Sequence, residues 1–128
     1  MARKTIDQLL EEARTHLDRI EPEAAEEAVA RGALLIDIRS GEQRSADGVI
    51  PGAHYYPRNV LEWRLDPDSD ARDPAVSDPD AEVILVCNEG YASSLAAVTL
   101  QELGFARATD LVGGFQAWRA AGLPVEPA

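Results

Sequence analysis

A single cysteine, Cys87, is the only thiol in the 128 residues, so no internal disulfide can form. No stretch approaches the roughly 18 consecutive apolar residues of a membrane-spanning helix, and no membrane partner is expected. Behind the basic start Ala2-Arg3-Lys4 there is no apolar segment, and the chain turns acidic by Glu11-Glu12, so a signal peptide is not expected. With one thiol and no leader, the expected compartment is the cytoplasm. Cations are scarce: 12 Lys and Arg stand against 23 Asp and Glu, a formal charge of -11. This argues against nucleic acid and anionic membranes as partners. It also means that a small anionic substrate meets repulsion unless local cations focus the field. The only histidines, His16 and His54, lack the cysteine or carboxylate spacing of a metal site, so no metal and no other cofactor is expected.

The lone cysteine stands at an informative place. Val83-Ile84-Leu85-Val86 reads as a short buried strand, Cys87-Asn88-Glu89-Gly90-Tyr91-Ala92-Ser93-Ser94 as a tight turn, and Leu95–Leu103 as a helix. A strand, a turn and a helix start bring backbone N–H groups round the sulfur, a setting that favours an anion and hence a thiolate nucleophile. A lone cysteine elsewhere in a chain is often just a small buried apolar side chain. Gly90 lets the loop curl with positive φ. Ser93 or Ser94 is expected to cap the following helix.

Along the chain, Thr5 reads as the N-cap of an amphipathic helix Ile6–Leu17, with residues 1–16 forming an N-terminal helical unit and 17–128 the main domain. Pro22 suits the first turn of a helix to Arg31. Ala33–Ile38 reads as a strand buried on both faces. A part-helical loop Arg39–Gly48, a short strand Ala53–Tyr56 and a helical turn at Val60–Leu65 follow. The segment Asp66–Ala81 holds six aspartates, three prolines and one arginine, and reads as a solvated surface connection. A last strand spans Thr109–Val112 and a last helix Phe115–Ala121. Strands alternating with helices imply parallel βαβ units with helices on both faces of one sheet.

Three separated segments together resemble the rhodanese-like sulfurtransferase family. They are Leu35-Ile36-Asp37-Ile38-Arg39 followed by Gly48-Val49-Ile50-Pro51-Gly52-Ala53, the Cys87 loop with its Cys-x-x-Gly-x-x-Ser pattern, and Val112-Gly113-Gly114-Phe115-Gln116-Ala117-Trp118 followed by Gly122-Leu123-Pro124. The resemblance implies an α/β fold with a mostly parallel five-stranded sheet. It also implies a sulfurtransferase that carries a persulfide on Cys87 between a small sulfur donor and a thiol acceptor. The alternative is a binding or sensing module on the same fold.

The sequence departs from the family pattern. Val49 replaces its histidine, and the Arg or Lys usual in the cysteine loop is missing: residues 88–92 are Asn, Glu, Gly, Tyr and Ala. The resemblance therefore makes Cys87 the nucleophile and Asn88, Glu89, Gly90, Tyr91, Ala92 and Ser93 the anion cradle. Arg58, placed after a strand, is the candidate for the missing cation, Asp37 and Arg39 tie loops together near the site, and Trp63 and Tyr91 wall it. Trp118 packs the last helix on the sheet. A cysteine phosphatase needs an arginine six positions after its cysteine, and that position is Ser93.

Overall fold

The computed structural model describes residues 2–128; Met1 lies outside the described residues. In chain order the elements are α1 Ile6–Arg14, α2 Pro22–Ala30, β1 Leu34–Asp37, α3 Gly41–Asp47, β2 His54–Tyr55, α4 Leu61–Leu65, β3 Val83–Val86, α5 Ala92–Glu102, β4 Ala108–Asp110 and α6 Gly114–Ala120. The four strands form one parallel sheet in the order β2-β1-β3-β4. Alternation along each strand feeds two cores. Ile36, Val83 and Leu85 face Leu61, Leu65, Ala96, Leu100 and Phe105. Leu35, Ile84 and Val86 face Ala25, Ala28, Phe115 and Trp118. Val83–Val86 is buried at every residue, as a central parallel strand covered on both sides requires. Trp118 is buried in the second core and its indole N–H donates to Pro124 O at 2.8 Å.

The five-stranded sheet expected from the resemblance is four-stranded here. A fifth partner survives as a single parallel bridge, Ile20 to Leu111, with Ile20 N–H on Asp110 O and Val112 N–H on Ile20 O. Pro22 has no N–H to donate and opens α2 at once, so the pairing cannot lengthen.

Thr5 caps α1 through a reciprocal capping box with Gln8. The helix ends at Arg14, three residues before the expected Leu17, where the Thr15 hydroxyl bonds back to Glu12 O. It packs against α5.

The acidic segment 66–80 is largely exposed, and its aspartates hold their own turns: the Asp66, Asp73 and Asp78 carboxylates accept N–H bonds two residues on. It is nonetheless pinned inward by fully buried Val76 and by the Tyr56 hydroxyl, which donates to Asp73. Burial first, and then the Asp73 bond, push the Tyr56 phenol up to about 12, while the same bond lowers the Asp73 carboxyl. The native state thus holds the Tyr56 proton more tightly than the unfolded chain does, and this contribution is present below pH 10 and lost as pH rises from 10 to about 12. The Asp73 contribution is present above 3.8 and lost as pH falls through the depressed native value. Tyr56→Phe is expected to flatten the alkaline arm of urea midpoint against pH. An unchanged arm would show that the phenol does not link this segment to stability.

Candidate active site

Because all four strands run the same way, Asp37, Tyr55, Asp110 and the residue after Val86, Cys87, reach one carboxyl edge, where open α/β folds gather their ligands. Cys87 is 7% exposed and its sulfur accepts the Gly90 N–H at 3.1 Å and the Ser93 N–H at 3.4 Å. Two of the loop's backbone amides therefore point at the thiol.

What aims them is the start of α6. Phe115 N–H takes Cys87 O at 2.8 Å and Gln116 N–H takes Asn88 O at 3.1 Å, so the carbonyls of the loop are turned away from the sulfur. The Gln116 side-chain amide adds a bond to Asn88 Oδ1 at 3.0 Å. This backbone-to-backbone contact exists because three glycines meet there. Gly90 has φ +86°, and a Cβ on it would stand 2.8 Å from Gly113 N; one on Gly114 would stand 2.5 Å from Cys87 O.

The remaining loop residues divide by position. Glu89 is exposed, Tyr91 is 58% exposed and is the N-cap of α5, and Ala92 is the first residue of that helix. Contrary to the expectation from the sequence, Ser93 and Ser94 do not cap α5; they lie in its first turn, fully buried. Both hydroxyls instead donate to Asp110 Oδ2, at 2.7 and 2.8 Å, and Ser93 Oγ lies 3.2 Å from the Cys87 sulfur. The strongest acceptor near the α5 start is a buried carboxylate, and it outcompetes the backbone.

Asp110 is fully buried and is neutralised by Arg19, whose Nε donates to Oδ1 at 2.9 Å and Nη2 to Oδ2 at 3.2 Å. Arg19 Nη2 also reaches Gly90 O at 3.0 Å, and Arg14 Nη2 reaches the same carbonyl at 2.7 Å. Asp110, Arg14 and Arg19 were not among the residues singled out from the sequence. A loop with no cation of its own was the only available signal, and it did not say where the cation would come from.

Asp37 and Arg39 form a buried two-toothed ion pair, with Arg39 Nη2 also on Gly48 O at 2.8 Å and its guanidinium 3.8 Å from the Phe115 ring centre. They thus join β1, the turn after α3 and the helix that aims the cysteine loop. Arg58 follows β2, and its Nη1 is held by both Glu62 oxygens, at 2.7 and 2.9 Å. Trp63 does not wall the cysteine. It lines a shallow cleft with Glu62, Asp66 and Leu103, and Leu103 lies at the opposite end of α5 from the loop.

A thiol at the carboxyl edge of a parallel sheet, held by loop amides and backed by a helix-start glycine pair, defines an α/β domain built around a cysteine loop. Comparison with known proteins places it more narrowly. A family model described as a rhodanese-like domain matches residues 21–121. Proteins named thiosulfate sulfurtransferase GlpE from Pseudomonas savastanoi pv. phaseolicola and Pseudomonas entomophila are 32% and 37% identical, over 83% and 80% of this chain and 91% and 84% of their own. A solved Rhodopseudomonas palustris protein of unknown function, described as a possible tyrosine phosphatase, superposes with a TM-score of 0.89 at 32% identity, over 98% of this chain and 97% of its own. A human single-domain sulfurtransferase superposes with a TM-score of 0.68 at 27% identity, over 80% and 95%. The chain belongs to the rhodanese-like domain family, and its curated relatives support the sulfurtransferase class.

Proposed function

We propose that the protein is a sulfurtransferase that carries a persulfide on Cys87. The observation that carries this reading is the pair of N–H groups, from Gly90 and Ser93, converging on the buried sulfur. The Cys87 thiolate attacks the outer sulfur of a donor such as thiosulfate or a protein persulfide. The new Sγ–S bond forms as the donor's S–S bond breaks, and the bonding pair leaves on sulfite or a thiolate. An acceptor thiolate then attacks the outer sulfur of Cys87-S-S⁻, and Cys87 departs as thiolate. The same two N–H groups serve both anionic states without rearrangement, which is the benefit of a preorganised cradle.

Asn88 works from behind the loop, through the Gln116 bonds that orient it. Gly90 and Ser93 supply the donors, Ala92 starts the supporting helix, and Tyr91 and Glu89 form the exposed rim. Arg58 serves as a rim cation that exchanges Glu62 for the donor. An exposed i,i+4 pair is worth about 0.3–0.5 kcal/mol; this one is partly buried, and the donor anion has to outcompete Glu62 for the guanidinium. Asp37 and Arg39 position the loop and take no part in bond making.

Intact-mass measurement after incubation with thiosulfate, with a 3-mercapto-2-oxo acid, or with a persulfide-bearing protein tests the reading. A one-sulfur adduct that a thiol acceptor removes is the expected result. No adduct from any donor would leave the binding or sensing module as the function. A phosphatase, the class mentioned for the R. palustris structure, is disfavoured because the oxyanion-gripping arginine position holds Ser93, backed by the buried carboxylate of Asp110.

The exposed anion at the rim sets the donor preference. Glu89→Arg is expected to lower the Michaelis constant for thiosulfate by about three- to tenfold at low salt, with the gain shrinking as salt is added. A constant that ignores both the charge reversal and the salt would remove Glu89 from donor selection.

A further inference from the structure

The loop carries no cation, yet two guanidiniums converge on it from a segment that precedes residue 21, where the family match begins. Their charges are not equivalent. Arg19 is spent on Asp110: both carboxylate oxygens receive its N–H groups, so that pair is neutral overall. Arg14 has no carboxylate within ion-pairing distance among the described residues. Its fork instead holds two neutral groups of the site, Gly90 O at 2.7 Å through Nη2 and Ser94 Oγ at 3.1 Å through Nε. The guanidinium also lies 5.9 Å from the centre of the Tyr91 ring, at the exposed rim. It is half-buried, and so less screened than the exposed Glu89.

We infer that Arg14, carried by the N-terminal helix, is the fixed cation of the cysteine site, and that it fits the site to anionic sulfur donors. The inference rests on the sulfurtransferase reading for the donor class, but not for the charge. Geometry and charge act together. Gly90 at φ +86° sends its N–H to the sulfur and its carbonyl outward, and Arg14 fixes that carbonyl. The excess positive charge then sits one residue from a donor amide, available to the donor anion and to Cys87-S-S⁻. A cationic side chain in the loop would do the same work from the front; here it comes from α1, 76 residues away in sequence. Arg14 is a positioning residue, since it acts through Gly90 and through the field rather than on the reacting sulfur.

The test uses the reactivity of Cys87 itself, with anionic iodoacetate and neutral iodoacetamide as probes, so it reads the charge whether or not sulfur transfer occurs. In Arg14→Gln the iodoacetate-to-iodoacetamide rate ratio is expected to fall about three- to tenfold at low salt, and the fall is expected to shrink at high salt. Arg14→Lys keeps the charge while losing the fork, and is expected to retain most of the wild-type ratio. It also tests the inference if Arg14→Gln fails to fold. The double variant Lys4→Gln with Glu12→Gln, which removes one exposed charge of each sign at the N-terminal helix, is expected to leave the ratio near wild type. Equal falls in both rates in Arg14→Gln would make Arg14 merely structural, and an unchanged ratio, or a lowered one in Arg14→Lys, would overturn its role as the cation. If the ratio behaves as expected but no donor yields a sulfur adduct, the cation stands and the sulfurtransferase reading fails.

Discussion

Cys87→Ser is expected to abolish sulfur loading and transfer while leaving the fold in place. The substitution keeps the size and polarity of a 7% exposed side chain, and serine can still accept the Gly90 and Ser93 N–H bonds. What it loses is the chemistry. A hydroxyl is scarcely ionised at neutral pH, and among the described residues the side chain hydrogen-bonded at this position is the Ser93 hydroxyl, already committed to Asp110, not a histidine base. No other thiol exists to take over. Turnover should drop to the rate of the uncatalysed reaction, no one-sulfur mass increase should appear with any donor, and the melting temperature should move by no more than a few degrees. Residual loading of the serine variant would place the sulfur elsewhere and end the proposal for Cys87.

Much of the fold was legible because its signals are local. Val83–Val86 shows as four apolar residues ended by a turn, and the observed strand has those bounds. Thr5 shows as the N-cap of α1 just before the apolar spacing begins, and it caps that helix. The cysteine loop was legible too, because strand, glycine and helix follow each other within a dozen residues. Long-range partners were not. Asp110 meets Ser93 across 17 positions, and Arg14 and Arg19 meet Gly90 across 76 and 71. Nothing in their own neighbourhoods marks them: Arg14 looks like an ordinary basic residue in the last turn of a helix, suited to the dipole there. The capping role expected for Ser93 and Ser94 failed for the same reason, since local pattern cannot foresee a buried carboxylate arriving from β4. Trp63 was misplaced because a helical turn's position in sequence does not say which end of α5 it meets.

The arginines explain how a chain of charge -11 can still present an anion-tolerant thiol. Ion pairing leaves the net charge unchanged but places arginines on the framework carboxylates behind the loop: Asp110 with Arg19, Asp37 with Arg39 and Arg44, Asp47 with Arg119. The buried carboxylates beneath the site are thereby neutralised, and the surplus of negative charge lies on exposed positions, Glu89 at the rim and segment 66–80 among them, where solvent and salt screen it. Overall charge governs the approach from a distance; the partners of the loop govern the last few ångströms.

Gly114→Ala is expected to be strongly destabilising and to disturb the cysteine loop. Gly114 has φ +62°, where a side chain costs about 1–2 kcal/mol by itself. The added Cβ would also stand 2.5 Å from Cys87 O, 2.8 Å from the Asn88 carbonyl carbon and 2.8 Å from Gly90 N. All three are backbone atoms of the cysteine loop, so no side chain can swing aside. Either α6 backs away, breaking Phe115 N–H to Cys87 O and Gln116 N–H to Asn88 O, or the loop shifts and the Gly90 N–H leaves the sulfur. Both routes add roughly 1–3 kcal/mol for buried backbone groups left unpaired. A total of about 2–5 kcal/mol corresponds to a melting temperature lower by about 6–25 °C for a domain of this size. Gly52→Ala separates the two contributions, because Gly52 has φ +81° with nothing within 4 Å of an added Cβ. It should show the backbone penalty alone and leave Cys87 alkylation untouched. If Gly114→Ala costs no more than Gly52→Ala and reacts with iodoacetamide at the wild-type rate, then the contact between α6 and the loop is not what holds the sulfur's donors in place.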